Sequence, residues 1–231
     1  MDKKVSEILK LIDECNLEQR ELIFKTLRKE FKIHSIENKL NIEAEIILEA
    51  LNKDETGLTF RMMRGVIAEA AFEIEVLSKL NNWKNITPQG DLPYDYLLND
   101  EKGEISIQVK LQRSKALKPM LANEAYRKFS SKFFVTETQK TRGGIDVLTN
   151  ENTRPYRFGE FNILAVSMQP STGNWSDFMY TVSDWLISQE DDKTKMLKFQ
   201  PVSPTLNDEW TNNLETCVDW LRQGIKKTIS Y

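Results

Sequence analysis

Apolar residues recur at helical intervals along the early part of the chain: Val5, Ile8, Leu9 and Ile12, then Leu17, Leu22, Ile23 and Leu27, then Ile42, Ile46, Ile47 and Leu51. This spacing predicts a helical region over residues 1–56, a flank or a dimer arm that carries no chemical motif. Asn16, followed three residues later by Gln19, has the pattern of a capping box for the second helix. A longer helix is predicted over Arg61–Leu80, with its stripe at Met63, Ile67, Ala70, Ile74 and Leu77. At about 100° per residue, Glu69 and Glu73 fall together at the margin of that stripe.

Beyond Asn81 and Asn82 the period changes. Trp83–Thr87 can form a first strand, and Pro93–Leu98 and Ile105–Leu111 read as two strands of a hairpin turning through Asn99–Gly103. Alternation along the second of these puts Gln108 and Lys110 on one face and Ile107 and Val109 on the other. Hairpin pairing then brings Asp95 alongside them. A helix is predicted around Leu121–Phe129, strands over Lys132–Thr136 and Phe161–Met168, and an amphipathic helix over Asn212–Lys226. The polar stretch between the last two strands, residues 137–160, is too long for a routine connection and is expected to carry function or to be disordered. Gln169, Ser171, Thr172 and Asn174 suit phosphate or base contacts or a plain loop, while Trp175, Phe178, Tyr180 and Trp185 read as core.

An acid, an amide and a lysine drawn from adjacent strands suit one chemistry in particular. Hydrolysis of a phosphodiester brings hydroxide to an anion, so a hard divalent cation held by oxygen ligands must offset charge and acidify water. Asp95 can bind such an ion, Gln108 can offer its side-chain carbonyl and Val109 its backbone carbonyl. Lys110 can orient or deprotonate the water and screen the phosphate. Magnesium fits a site with few carboxylates because it retains waters.

These residues resemble the PD-(D/E)XK nuclease superfamily, which includes many type II restriction endonucleases. Pro93-Tyr94-Asp95 matches the PD element and Gln108-Val109-Lys110 the (D/E)XK element, behind a helix holding Gly65-Val66-Ile67-Ala68-Glu69. The likeness covers residues 61–112. Two positions depart from the pattern: Tyr94 stands between proline and aspartate, and Gln108 replaces the usual acid. The second departure removes a negative charge that Glu69 could restore; Glu73, one turn away, is the alternative. The resemblance implies a restriction-endonuclease-like α/β sandwich over residues 57–231, with a mixed central β-sheet flanked by helices and preceded by the helical amino-terminal region. It also implies a Mg²⁺-dependent, sequence-specific double-strand DNA endonuclease acting as a homodimer, since one such site cuts one strand. A bacterial or archaeal cytoplasm and a companion DNA methyltransferase acting on the same site go with that class.

Composition changes this picture in one respect. The net charge is −3, yet between Lys102 and Arg142 ten bases face three acids, an excess of +7. A basic segment in an acidic chain is what a phosphate-tracking surface requires, although a solvated face would have the same composition. Arg113, Lys115, Lys118, Lys140, Arg142, Arg154, Tyr156 and Arg157 supply donors suited to phosphates and guanine edges. Gly143 and Gly144 permit a tight backbone path among them. A single histidine, His34, excludes a His-based metal cluster and leaves no ordinary Ser-His-Asp triad without it. Cys15 and Cys217 are widely separated and read as packed thiols. No run approaches eighteen apolar residues and the first ten residues are charged, so neither a membrane span nor a signal peptide is expected. Other DNA nucleases of the same chemistry remain open (junction resolvase, homing, repair or modified-DNA enzymes), as does a catalytically silent DNA-binding module.

Overall fold

The computed structural model describes residues 2–31, 35–53, 57–140, 143–145 and 152–231. His34 and Arg142 lie outside the described residues. The chain divides into two compact units, Met1–Arg61 and Met62–Tyr231. The first contains α1 (Lys3–Glu14), α2 (Leu17–Glu30), α3 (Ser35–Leu40) and α4 (Ala44–Lys53). Asn16 and Gln19 form the capping box that starts α2, each side chain accepting from the other's backbone N–H at 2.9 Å. None of the described residues of α1, α2 or α4 is fully buried, so their apolar stripes remain open.

α5 (Leu58–Glu75) leads into the second unit, followed by β1 (Lys84–Asn85), β2 (Tyr96–Asp100) and β3 (Gly103–Leu111). A short ribbon of β4 (Ser114–Lys115) and β5 (Lys118–Pro119) precedes α6 (Ala122–Ala125) and β6 (Phe134–Glu137). The chain continues through β7 (Ile163–Ser167), α7 (Gln169–Thr172), β8 (Phe178–Val182), β9 (Phe199–Val202) and α8 (Leu214–Arg222). Five strands make a mixed sheet in the order β1-β2-β3-β7-β8, flanked by helices, with β3 and β7 parallel and the other pairs antiparallel. β6 and β9 pair separately. β6 is joined to the continuation of β3 by the Gln112–Thr136 bridge and by Arg113 N–H donating to the Val135 carbonyl at 2.8 Å.

The hairpin is tighter than the sequence suggests. β2 extends to Asp100, which pairs with Gly103 and leaves a two-residue turn. Gly103 has φ +115°, a conformation that glycine alone adopts without strain. Arg222 from α8 grips Asp100 through two hydrogen bonds of 2.6 and 2.8 Å, which hold its carboxyl down to about 2, and the same guanidinium lies over Trp83. β7 is buried at every position, as its unbroken apolar run requires.

α5 packs on a different face from the one its apolar spacing predicts. Ala68, Ala71 and Phe72 are buried, whereas Ile67 is 37% and Ile74 64% exposed. Two alanines allow close approach to the sheet, and Phe72 fills the space between Tyr96, Phe178 and Tyr180, with ring centroids 5.3, 5.3 and 6.3 Å away. The packing face is thus set by fit to an aromatic cluster. The helix expected over Leu121–Phe129 shrinks to α6, because Ala122 and Phe129 are drawn into a small core with Val135. The described part of residues 137–160 is paired: Gln139 bridges Pro155, Ile145 bridges Asn152, and Lys140 N–H donates to the Arg154 carbonyl at 2.9 Å.

Candidate active site

Asp95 sits one residue before β2, fixed by its own N–H donating to the Ile107 carbonyl at 3.0 Å. Because Tyr96 pairs with Ile107, Asp95 stands across from Gln108. Its Oδ2 accepts from Gln108 Nε2 at 2.5 Å and from Val109 N–H at 2.7 Å. Gln108 Nε2 also donates to the Val109 carbonyl at 3.2 Å. Gln108, only 2% exposed, is therefore clamped between a side chain and the backbone of its own strand. Lys110, two residues on and on the same face, donates from Nζ to the Tyr156 hydroxyl at 3.3 Å, and Nζ lies 5.2 Å from the Tyr156 ring centroid.

Glu69 completes the group from α5. Its backbone carbonyl accepts from the Tyr96 hydroxyl at 2.9 Å, so the residue next to Asp95 fixes the helix position that bears the second carboxylate. Glu69 is half-buried while Glu73 is exposed.

The electrostatics follow from crowding charges into a partly dry place. Burial pushes the Asp95 carboxyl above the ordinary range, against the opposing effects of Lys110, the Val109 N–H and the Gln108 amide. Glu69 is raised by burial and then by the Asp95 charge, with Lys110 opposing. Lys110 is lowered by burial, although Asp95, Glu69 and Glu137 all favour its charged form. Two carboxylates raised by burial, one of them further by the charge of the other, beside one lysine form a site short of positive charge.

The donor set fits a hard cation. Among the described residues, Asp95 Oδ1, the Glu69 carboxylate and Gln108 Oε1 accept no hydrogen bond. No group of three or more His, Cys, Asp or Glu residues that could hold a metal occurs among them. An ion here would keep much of its water, as magnesium does. The structure gives Gln108 a different posture from the expected one: its amide nitrogen, not its oxygen, faces Asp95. An amide beside a bare carboxylate has to donate, since two oxygens would repel. Rotation of the amide would present the oxygen.

The basic residues are dispersed. Arg113 is paired with Glu137 at 2.7 Å and Lys140 with Glu160 at 2.6 Å. Arg154 is exposed and crosses Gly143, where a Cβ would collide with its side chain; its Nε donates to the Lys140 carbonyl at 3.4 Å. Arg157 is exposed and donates to Thr194 at 2.9 Å. Lys115 and Lys118 are exposed on the β4–β5 ribbon. Tyr156 departs from its expected place at a nucleic-acid surface: it is 4% exposed, packs edge-on against Phe161, and lies beneath Lys110 and Lys140. An aromatic in a charged stretch read as a contact residue, and only the fold reveals it as a support. Arg64 was not singled out from the sequence; it donates to Ser114 and to Gln169, each at 2.9 Å, tying α5 to the ribbon and to α7. Gln169 thus has an internal partner, and Ser171 N–H donates to Gln112 at 3.1 Å.

No protein-family model matches the chain, and no curated protein does. Among solved structures it is similar to that of a bacterial homing endonuclease, I-Ssp6803I, at 19% identity over 71% of this chain and 94% of that one, with a TM-score of 0.41. Likeness at that level does not bear on function. No helix among the described residues is long and apolar enough to cross a membrane.

Proposed function

We propose that this chain is a divalent-metal-dependent DNA nuclease whose site is Asp95, Gln108, Lys110 and Glu69, with Mg²⁺ as the ion. The observation that supports this reading best is the convergence of Asp95, Gln108 and the Val109 backbone around one carboxylate oxygen, with Lys110 on the same strand face. Asp95, Glu69, the Gln108 amide oxygen and the Val109 carbonyl would hold the ion. When bound, it would supply acidified water and offset the phosphate charge. Lys110 orients the attacking water and screens the developing negative charge, and Tyr156 keeps its ammonium aimed. Half-burial of Glu69 and Asp95 strengthens each of these interactions by excluding solvent.

Within that class we favour a type II, sequence-specific double-strand endonuclease acting as a homodimer, with a companion methyltransferase protecting the same site. Incubation of supercoiled plasmid with the protein and Mg²⁺ tests this reading. Discrete linear fragments with uniform ends support it. Structure-dependent nicking moves the assignment to a resolvase or repair nuclease, and no cleavage in Mg²⁺ or Mn²⁺ removes the catalytic reading.

A further inference from the structure

The β4–β5 ribbon breaks three local rules within four residues. Ala116 and Leu117 form its two-residue tip with φ +49° and +62°, left-handed values that strain any residue with a Cβ. Glycine or asparagine would relieve both. Lys115 and Lys118 pair directly across the ribbon, where like charges repel. Neither has an ion-pair partner among the described residues. Leu117, at the tip, is 57% exposed.

The ribbon is nonetheless firmly rooted. Met120 N–H donates to the Arg113 carbonyl at 3.0 Å, and Ser114 is held by Arg64. Arg113 is paired to Glu137, which lies close enough to Lys110 to favour its charged form. A strained, charged, apolar-tipped projection on an anchored base next to the candidate site is a stored local conflict, and such conflicts concentrate at functional positions.

Resting on the nuclease reading, we propose that this ribbon is a DNA-engaging finger. Lys115 and Lys118 take phosphates on either side of a groove, and Leu117 wedges against a base step. Duplex DNA satisfies two of the three features together: phosphates relieve the lysine repulsion, and base faces cover the leucine. The left-handed tip matches the twist of a tight ribbon, which keeps the finger narrow.

Binding of the full-length protein to a labelled duplex in Ca²⁺, over a range of salt, tests the proposal, with duplex bending read by energy transfer between end labels. Lys115→Ala with Lys118→Ala should lower the slope of log affinity against log salt by about two. Leu117→Ser should leave the slope unchanged, weaken binding several-fold and reduce bending. Leu117→Gly should weaken binding likewise while raising the melting temperature, since it relieves the left-handed strain; a purely structural leucine would not show that opposition. Wild-type slope, affinity and bending in all three variants overturn the finger and leave the nuclease reading standing. Failure of the wild-type protein to bind duplex DNA overturns both.

Discussion

Gln108 carries the largest departure from an all-acid metal site, and its hydrogen bonds define what its replacement does. As the amide stands it donates to Asp95 and to the Val109 carbonyl. Gln108→Glu replaces that donor with a second buried carboxylate against Asp95, so the metal-free protein should melt lower and regain stability on adding Mg²⁺, with cleavage retained. Gln108→Ala should cost about 1–3 kcal/mol by removing its buried hydrogen bonds to Asp95 and to the Val109 carbonyl, and should not be rescued by metal. Calorimetry with and without Mg²⁺ checks both, and indifference to either substitution means that Gln108 does not face the ion. Tyr156 touches Lys110 by its hydroxyl and its ring, so Tyr156→Phe should lower kcat about tenfold with KM unchanged. In a Lys110→Ala background the same change should do nothing further, because the two residues act as a unit; additive losses would place Tyr156 elsewhere in the mechanism. The carboxyls also set a pH dependence. Asp95 and Glu69 are raised above their ordinary values, so their contribution to metal-free stability is complete below the ordinary carboxylate range. It is lost as pH rises through the raised folded values. Melting in chelator should show this decline on going from acid to neutral pH, and Asp95→Asn should flatten it.

At the scale of elements, α5 shows both the reach and the limit of sequence periodicity. Its helical period is plain in the sequence, which places Glu69 and Glu73 together on the helix before the hairpin without choosing between them. Its packing face is not plain, because Ala68 and Ala71 carry too little apolar weight to compete with Ile67 and Ile74, although close approach to the sheet selects them. The hairpin was legible because alternation and a glycine turn are local signals, and the pairing of Asp95 with Gln108 follows from them directly. Tyr156 was misread and Arg64 overlooked for the opposite reason: each acts on a residue far away in sequence, Lys110 and Ser114 respectively. The pairing within residues 137–160, such as the Gln139–Pro155 bridge, is illegible in a sequence that shows only a long polar connection, because isolated bridges leave no hydrophobic period. The placement of α5 also separates two acids that sequence left as alternatives. Glu69→Gln should lower the cleavage rate at least tenfold, on the scale of a lost charge-assisted contact, and Glu73→Gln should leave it unchanged. A single-turnover assay of the pair decides this, and the reverse order would assign the site to Glu73.

In the whole molecule, a site short of positive charge belongs to a chain with net charge −3 whose basic residues cluster downstream of Lys110. Several of those bases are already paired internally: Arg113 with Glu137 and Lys140 with Glu160. On the proposed function, nucleic-acid affinity would rest on a smaller exposed set, including Lys115 and Lys118, and should fall with salt less steeply than ten free bases would imply. The apolar stripes of α1, α2 and α4 are open among the described residues, a surface that the proposed homodimer could use. Everything at this scale depends on Asp95 placing a metal against DNA. The most direct measurement is the initial rate of Mg²⁺-dependent cleavage of linear duplex DNA by the wild-type protein and by Asp95→Ala, at matched DNA occupancy. The account predicts that the variant binds as tightly as the wild type, or more tightly for want of a negative charge facing phosphates, and that its cleavage falls below detection. Appreciable Mg²⁺-dependent cutting by Asp95→Ala would contradict it.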